Sequence, residues 1–339
     1  MRGRVNVGGG YQIGSEIPRY ELQRIGKNKV INRNEIWTYT APEKIDTIAN
    51  NPKSKEDNNL YMQAGRYLIK VAPDGTEIFK KVISSSTSYT GKGLYVFDDA
   101  IYCKWRSEGL SKFDLNGNEI WSVNISTTYG GLFVDDNQTC YFSIGTTIKV
   151  YDKDGNFIKD IPRVGGIENT APVIVFDNGD YISGGDGYIK SYDVDGNVLW
   201  SFSLGVYNCS NLIFNNSEDG VFYSSIVGSL QYIRKQLIAD KTVVWQKSSS
   251  EEIMRVTTDV INGITFDIYG ERFYVNGGAV LNINDGTRLI AGLGVSYLGI
   301  TVDNIGHFYL IDSDGVGDTV KQYNNEGFVD IFYKVIALK

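Results

Sequence analysis

Apolar and polar residues alternate along this chain in bursts of five or six, and each burst ends in a turn signal of Asp, Asn and Gly. Residues 188–200 read YIKSYDVDGNVLW, and nearly the same phrase occurs as LSKFDLNGNEIW at 110–121 and IKVYDKDGNFIK at 148–159. A two-residue period marks a strand with one face on a core, and Asp-Gly or Asn-Gly supplies the positive φ of a tight hairpin. No 3.6-residue period persists anywhere, so no helix is predicted.

The phrase is a repeat. The position four residues after the turn glycine falls at Trp37, Phe79, Trp121, Lys159, Trp200, Trp245, Ile290 and Ile331, with spacings of 42, 42, 38, 41, 45, 45 and 41. A tyrosine forms a second mark in the same phase, at Tyr61, Tyr102, Tyr141, Tyr181, Tyr223, Tyr274 and Tyr309. Further turn signals lie between the two marks and before the tyrosine, which divides each copy into four strands, A to D. Four antiparallel strands repeating every 40 to 50 residues predict an all-β fold, a β-propeller of four-stranded blades. Seven complete copies predict seven blades. Eight is the alternative, because the hairpin at 22–37 either closes the ring with the last blade or begins another. Residues 21–339 are therefore expected to form a single propeller, with 1–20 outside the period as an attachment or flexible segment.

Each blade needs a large flat apolar contact against its neighbour, and the Trp mark is expected to supply it. A buried aromatic removes some 150–250 Å² from water, so truncating Trp121 or Trp200 to Ala is expected to cost about 3 to 5 kcal/mol.

Composition narrows the functional classes. With 40 acidic against 33 basic residues, a net charge of −7 and no long basic run, the chain lacks the electrostatic footprint of a nucleic-acid binder. The N-terminal stretch MRGRVNVGGGYQIG has positive charge but no apolar core, and no run of about 18 apolar residues occurs, so neither a signal peptide nor a membrane span is expected.

Known chemistries find few residues to use. Cys103, Cys140 and Cys209 have neither the spacing of a zinc site nor an even count, and are expected to be packed thiols. The only histidine, His307, would have to serve any triad alone, and it stands in the strand B context of every other copy. The segment GVSYL at 294–298 lacks the second glycine of a nucleophile elbow, and GLGVSY lacks the third of a dinucleotide loop. The phrases NGNEIW and DGNVLW miss both hydroxyl residues of the sialidase Asp box. Asp152-Lys-Asp154-Gly155-Asn156 and Asp193-Val-Asp195-Gly196-Asn197 begin like EF-hand loops without the distal Glu, and turn chemistry is the expected reading. Asp312, Asp314 and Asp318 place three carboxylates in seven residues of one loop, a possible Ca²⁺ ligand set.

The phrase ending DGxxxW, repeated near every 42 residues over 37–331, resembles the repeats of pyrroloquinoline-quinone-type (quinoprotein dehydrogenase-like) β-propellers. The resemblance implies the propeller fold. It also implies, in that family's enzymes, a calcium-held quinone above an axial catalytic Asp, often beside a disulfide of adjacent cysteines. This chain has no adjacent cysteines, so PQQ is not carried over and no cofactor beyond Ca²⁺ is expected. The opening RVNVGGG resembles N-termini of tail-associated proteins in phages of Gram-positive bacteria, which implies a virion protein joined to other virion proteins through its N-terminal segment.

Antiparallel strands reverse each time, so D-to-A and B-to-C loops emerge on one face of a propeller and A-to-B and C-to-D turns on the other. The first face is expected to carry the longer aromatic loops, with Tyr89, Trp105, Arg106, Tyr129, Tyr207 and Tyr297 as the candidate ligand-binding set. Tyr and Trp among Gly and hydroxyl residues suit sugar stacking and polar recognition on a rigid scaffold. The expected function is non-enzymatic: a phage tail or surface protein contacting a host glycan or a neighbouring virion protein. A purely structural assembly scaffold and a glycan-cleaving propeller are the alternatives.

Overall fold

The structure, a computed structural model, describes residues 19–24, 35–51, 57–84, 93–105, 109–125, 131–163, 173–214, 220–227, 230–237, 242–248, 264–266, 272–275, 280–282, 284, 286–290, 297–302, 308–313, 318–323 and 333–338. They contain strands and no helix long and apolar enough to cross a membrane.

The strands assemble as seven blades, each antiparallel from A to D. Blade 1 consists of Ile45–Ala49, Leu60–Ala64, Tyr67–Val71 and Glu77–Val82, and blade 2 of Leu94–Val96, Ile101–Trp105, Gly109–Phe113 and Glu119–Val123. Blade 3 consists of Leu132–Val134, Cys140–Ile144, Thr147–Tyr151 and Phe157–Pro162, and blade 6 of Ile264–Phe266, Arg272–Val275, Val280–Asn282 and Arg288–Ile290. Blades 4 and 5 share one six-stranded sheet, Val173–Val175, Tyr181–Tyr192, Val198–Phe214, Gly220–Val227, Leu230–Leu237 and Val243–Ser248. Two of its strands serve twice. In Tyr181–Tyr192, residues 181–183 pair with strand A of blade 4 and 188–192 with its strand D. In Val198–Phe214, residues 198–203 are strand D of blade 4 and 208–214 strand A of blade 5.

Blade 7 settles the blade count among the described residues. Its strands Tyr297–Val302, Phe308–Ser313 and Asp318–Tyr323 take as their fourth, outer member Glu35–Thr40 from the other end of the chain. The upstream hairpin thus closes the ring. Strand A of each blade touches strand A of the next, and that of blade 7 touches that of blade 1, where the Thr301 hydroxyl donates to Asn50 Oδ1 at 2.9 Å.

The chain divides into two compact units, residues 34–324 and a small one built from 1–33 with 325–339. In the small unit Arg19–Arg24 pairs antiparallel with Tyr333–Leu338, so 21–24 and 333–338, placed by the repeat within one propeller, belong to a separate ribbon. The physical reason is that 35–40 already fills the outer position of blade 7. Ile331 lies outside the described residues.

Within a blade the second mark is the deeper anchor. Tyr61, Tyr102, Tyr181, Tyr223 and Tyr309 are all fully buried in strand B, whereas Trp37, Trp121 and Trp200 are half-buried and only Trp245 is buried. The Trp rings were expected in the core; they sit farther out because strand D is the outermost. Each outer strand also carries a β-bulge one residue before the first mark. Ile36, Ile78, Ile120, Ile158, Leu199, Val244 and Leu289 are skipped in the pairing with strand C. The bulge turns the marked side chain toward the next blade.

Candidate functional site

The C-to-D face is locked by its own turns. Asp114 Oδ1 accepts from the backbone N–H of Asn116 at 2.9 Å and of Asn118 at 2.8 Å, and Oδ2 accepts from the Asn118 amide at 2.8 Å. Asp152 does the same with Asp154 and Asn156, and Asp193 with Asp195 and Asn197. These bonds favour the ionised form and hold the carboxyls below their ordinary range, led by the Asn118 N–H at Asp114 and by the Asn156 and Asn197 amides at Asp152 and Asp193. The two loops that begin like EF-hands therefore use their first carboxylate to hold a hairpin.

The opposite face is the candidate site. Two of its B-to-C connections, Gly65-Arg66 and Gly145-Thr146, are tight two-residue turns, so the loop length expected there resides in the D-to-A connections. Arg66 is clamped to Glu43 of the preceding connection, by a 3.0 Å ion pair from its Nε and a 3.0 Å bond from its backbone N–H.

Of the six aromatic and basic candidates, Tyr89, Arg106 and Tyr129 lie outside the described residues, as does His307. The backbone places the other three on the expected face. Trp105 ends strand B of blade 2, Tyr207 occupies the crossing from blade 4 to blade 5 within Val198–Phe214, and Tyr297 begins strand A of blade 7. They stand on blades distributed around the ring rather than in one cluster.

The acidic loop behaves differently from a cation cage. Asp312 is the register partner of Thr319 and Asp318 that of Ser313, so the two carboxylates point to opposite faces of the sheet. Asp318, buried, accepts from the Ile45 N–H at 2.7 Å, and Asp312 forms a 2.8 Å ion pair with Lys321. Asp318 thereby fastens blade 7 to blade 1 and Asp312 fastens strand B to strand C. Asp314 lies outside the described residues, among which no group of three His, Cys, Asp or Glu could hold a metal.

Beneath this face lies a layer that the sequence reading missed. Gln63, Lys104, Ser143 and Ser183, all buried, stand two residues after the tyrosine mark in blades 1 to 4. Gln63 Nε2 donates to Lys104 O at 3.3 Å, the Lys104 ammonium lies 5.7 Å from the Phe142 ring centroid, and Ser143 Oγ accepts from the Gly131 N–H at 2.7 Å. The signal was the fixed offset from the tyrosine, legible only once that residue is known to be the anchor. The three cysteines are buried in separate strands, and desolvation raises each thiol, that of Cys140 to about 12. None is poised as a thiolate nucleophile at neutral pH.

The WD40 β-propeller domain of Doa1 is similar to this chain, with a TM-score of 0.67 at 10% identity over 86% of this chain and 97% of that one. No protein-family model and no curated protein matches. At such low identity the likeness shows the propeller fold and nothing finer.

Proposed function

We propose that this propeller is a non-enzymatic recognition module of a phage tail or surface, contacting a host glycan or a neighbouring virion protein through the face of the D-to-A and B-to-C loops. Its N-terminal segment attaches it to other virion proteins, as the resemblance of RVNVGGG suggests. The observation that carries the reading is the inequality of the two faces. One consists of hairpin turns whose carboxylates are engaged, and the other receives Trp105, Tyr207 and Tyr297 at the ends of rigid strands. Aromatic side chains on a rigid scaffold bind sugar rings at low cost in conformational entropy.

The test is co-sedimentation of the purified protein with Gram-positive cell walls. Changing Trp105, Tyr129 and Tyr207 together to Ala is expected to weaken binding at least about tenfold with little effect on the thermal melt. Unaltered binding by the folded triple variant would refute the face assignment.

A further inference from the structure

Outer strands of a propeller are sheet edges, with one side hydrogen-bonded to strand C and the other open. Natural sheets guard such edges with charges or proline. Six of the seven outer strands here do so, with Glu35, Glu77, Glu119, Lys159, Lys247 and Arg288. The outer strand of blade 4 does not: residues 198–204, VLWSFSL, contain no charged residue and no proline. Among the described residues 198–203 pair only with 188–192.

The surroundings of that edge are apolar. Val198 and Leu199 are 52% and 55% exposed, and Ser201 beside them is exposed. The adjoining rim of blade 3, tied to blade 4 by the 3.0 Å bond from Lys159 Nζ to Val194 O, adds Phe157, Ile158 and Val194 at 54%, 52% and 44%. In blades 7, 1 and 2 the place of Phe157 and Val198 is taken by a glutamate.

We infer that two copies of this chain pair through this edge, strand 198–204 running antiparallel to its own copy about a two-fold axis at Ser201. The charge pattern selects the occupant. Every other outer strand in self-pairing would bring like charges together, whereas this one meets its copy with Val, Leu and Ser. Half-exposed side chains of this size offer on the order of 80 to 100 Å² each, so both copies together bury roughly 1,000 Å², the lower end of a specific interface. The dimer is therefore weak and concentration-dependent.

Sedimentation velocity across the micromolar range tests it on the full chain. Wild type is expected to show a monomer–dimer equilibrium. Ser201→Glu places two carboxylates opposite each other in the dimer while facing Lys190 within its own blade, and is expected to weaken dimerisation at least about tenfold with the melt unchanged. Ser201→Lys is also expected to be monomeric, and a mixture of the two variants to dimerise again. Ser122→Lys, at the same place in blade 2, is expected to dimerise like wild type. A wild type that stays monomeric, a dimer that survives Ser201→Glu, or a mixture that fails to recover while both variants are folded would overturn the inference.

Discussion

Two neighbouring junctions of the ring do the same work with different side chains. Between blades 2 and 3 the Trp121 ring lies against Gly155 of the next C-to-D turn, and its indole N–H donates to Lys153 O at 3.0 Å. Between blades 3 and 4 the aromatic is absent. Lys159 Nζ donates instead to Val194 O at 3.0 Å, and Pro162 occupies the space in front of Gly196. The acceptor is in each case the carbonyl two residues before the turn glycine, as it is for Trp37 and Pro73 between blades 7 and 1, at 2.8 Å. Even where Phe79 packs on Gly117 without a donor, Lys70 Nζ reaches Leu115 O at 3.5 Å. What the repeat keeps is a donor and a filled space at a fixed height, and Trp is one way to supply both.

The sharpest way to break the comparison is at the glycine. A Cβ at Gly155 would lie 2.9 Å from the Trp121 ring, at a φ of +84° that side chains disfavour, so Gly155→Val combines strain with expulsion of the ring. It is expected to cost about 3 to 5 kcal/mol by urea denaturation. Gly145, at φ +55° with nothing near its Cβ, separates the two effects, and Gly145→Ala is expected to cost only about 1 kcal/mol from the backbone alone. Equal costs at both sites would mean that the ring contact contributes nothing.

Truncating the donors comes next. Trp121 is half-buried, so Trp121→Ala is expected to cost about 2 to 3 kcal/mol, below the range for a full core truncation. Lys159 is exposed and offers one hydrogen bond, so Lys159→Met is expected to cost about 0.5 to 1 kcal/mol. A larger loss at Lys159 than at Trp121 would show that the hydrogen bond, not the packed ring, dominates these junctions.

These contrasts also mark what could be read in the chain. Blade strands and turns were legible because Asp-Gly pairs and alternating apolar residues act over a few residues, and the 42-residue period fixed the phase. The role of Trp was misjudged because periodicity gives a residue's place along a strand but not its distance from the axis; Tyr61 and Tyr102 turned out deeper than Trp37 and Trp121. Closure by 35–40 was legible only as a choice, since pairing between residues 35 and 323 is set by topology and leaves no local mark. For the candidate site less was legible. Asp312 and Asp318 look like one ligand set in sequence and stand on opposite faces in the sheet, because strand continues into what reads as loop. The layer of Gln63, Lys104, Ser143 and Ser183 breaks the expectation that strand B is apolar on its inner side.

The smallest effect concerns what the two junctions have in common. Asp152 and Asp193 open the turns that Trp121 and Lys159 reach, and hydrogen bonds depress both carboxyls, the Asn156 and Asn197 amides foremost. A carboxyl held low in the folded state binds fewer protons there than in the unfolded chain. Its contribution is therefore complete above the unfolded value of about 3.9 and disappears as the pH falls through the folded one. Stability is expected to be flat from neutral pH to about 5 on account of these groups and to decline below about 4. Asp152→Asn and Asp193→Asn keep an acceptor oxygen but cannot titrate, so each is expected to shallow the acid limb of the denaturation midpoint against pH to the same small degree. An unequal response would mean that the Lys159 amine, unlike the Trp121 indole, feels the charge of the turn that it touches.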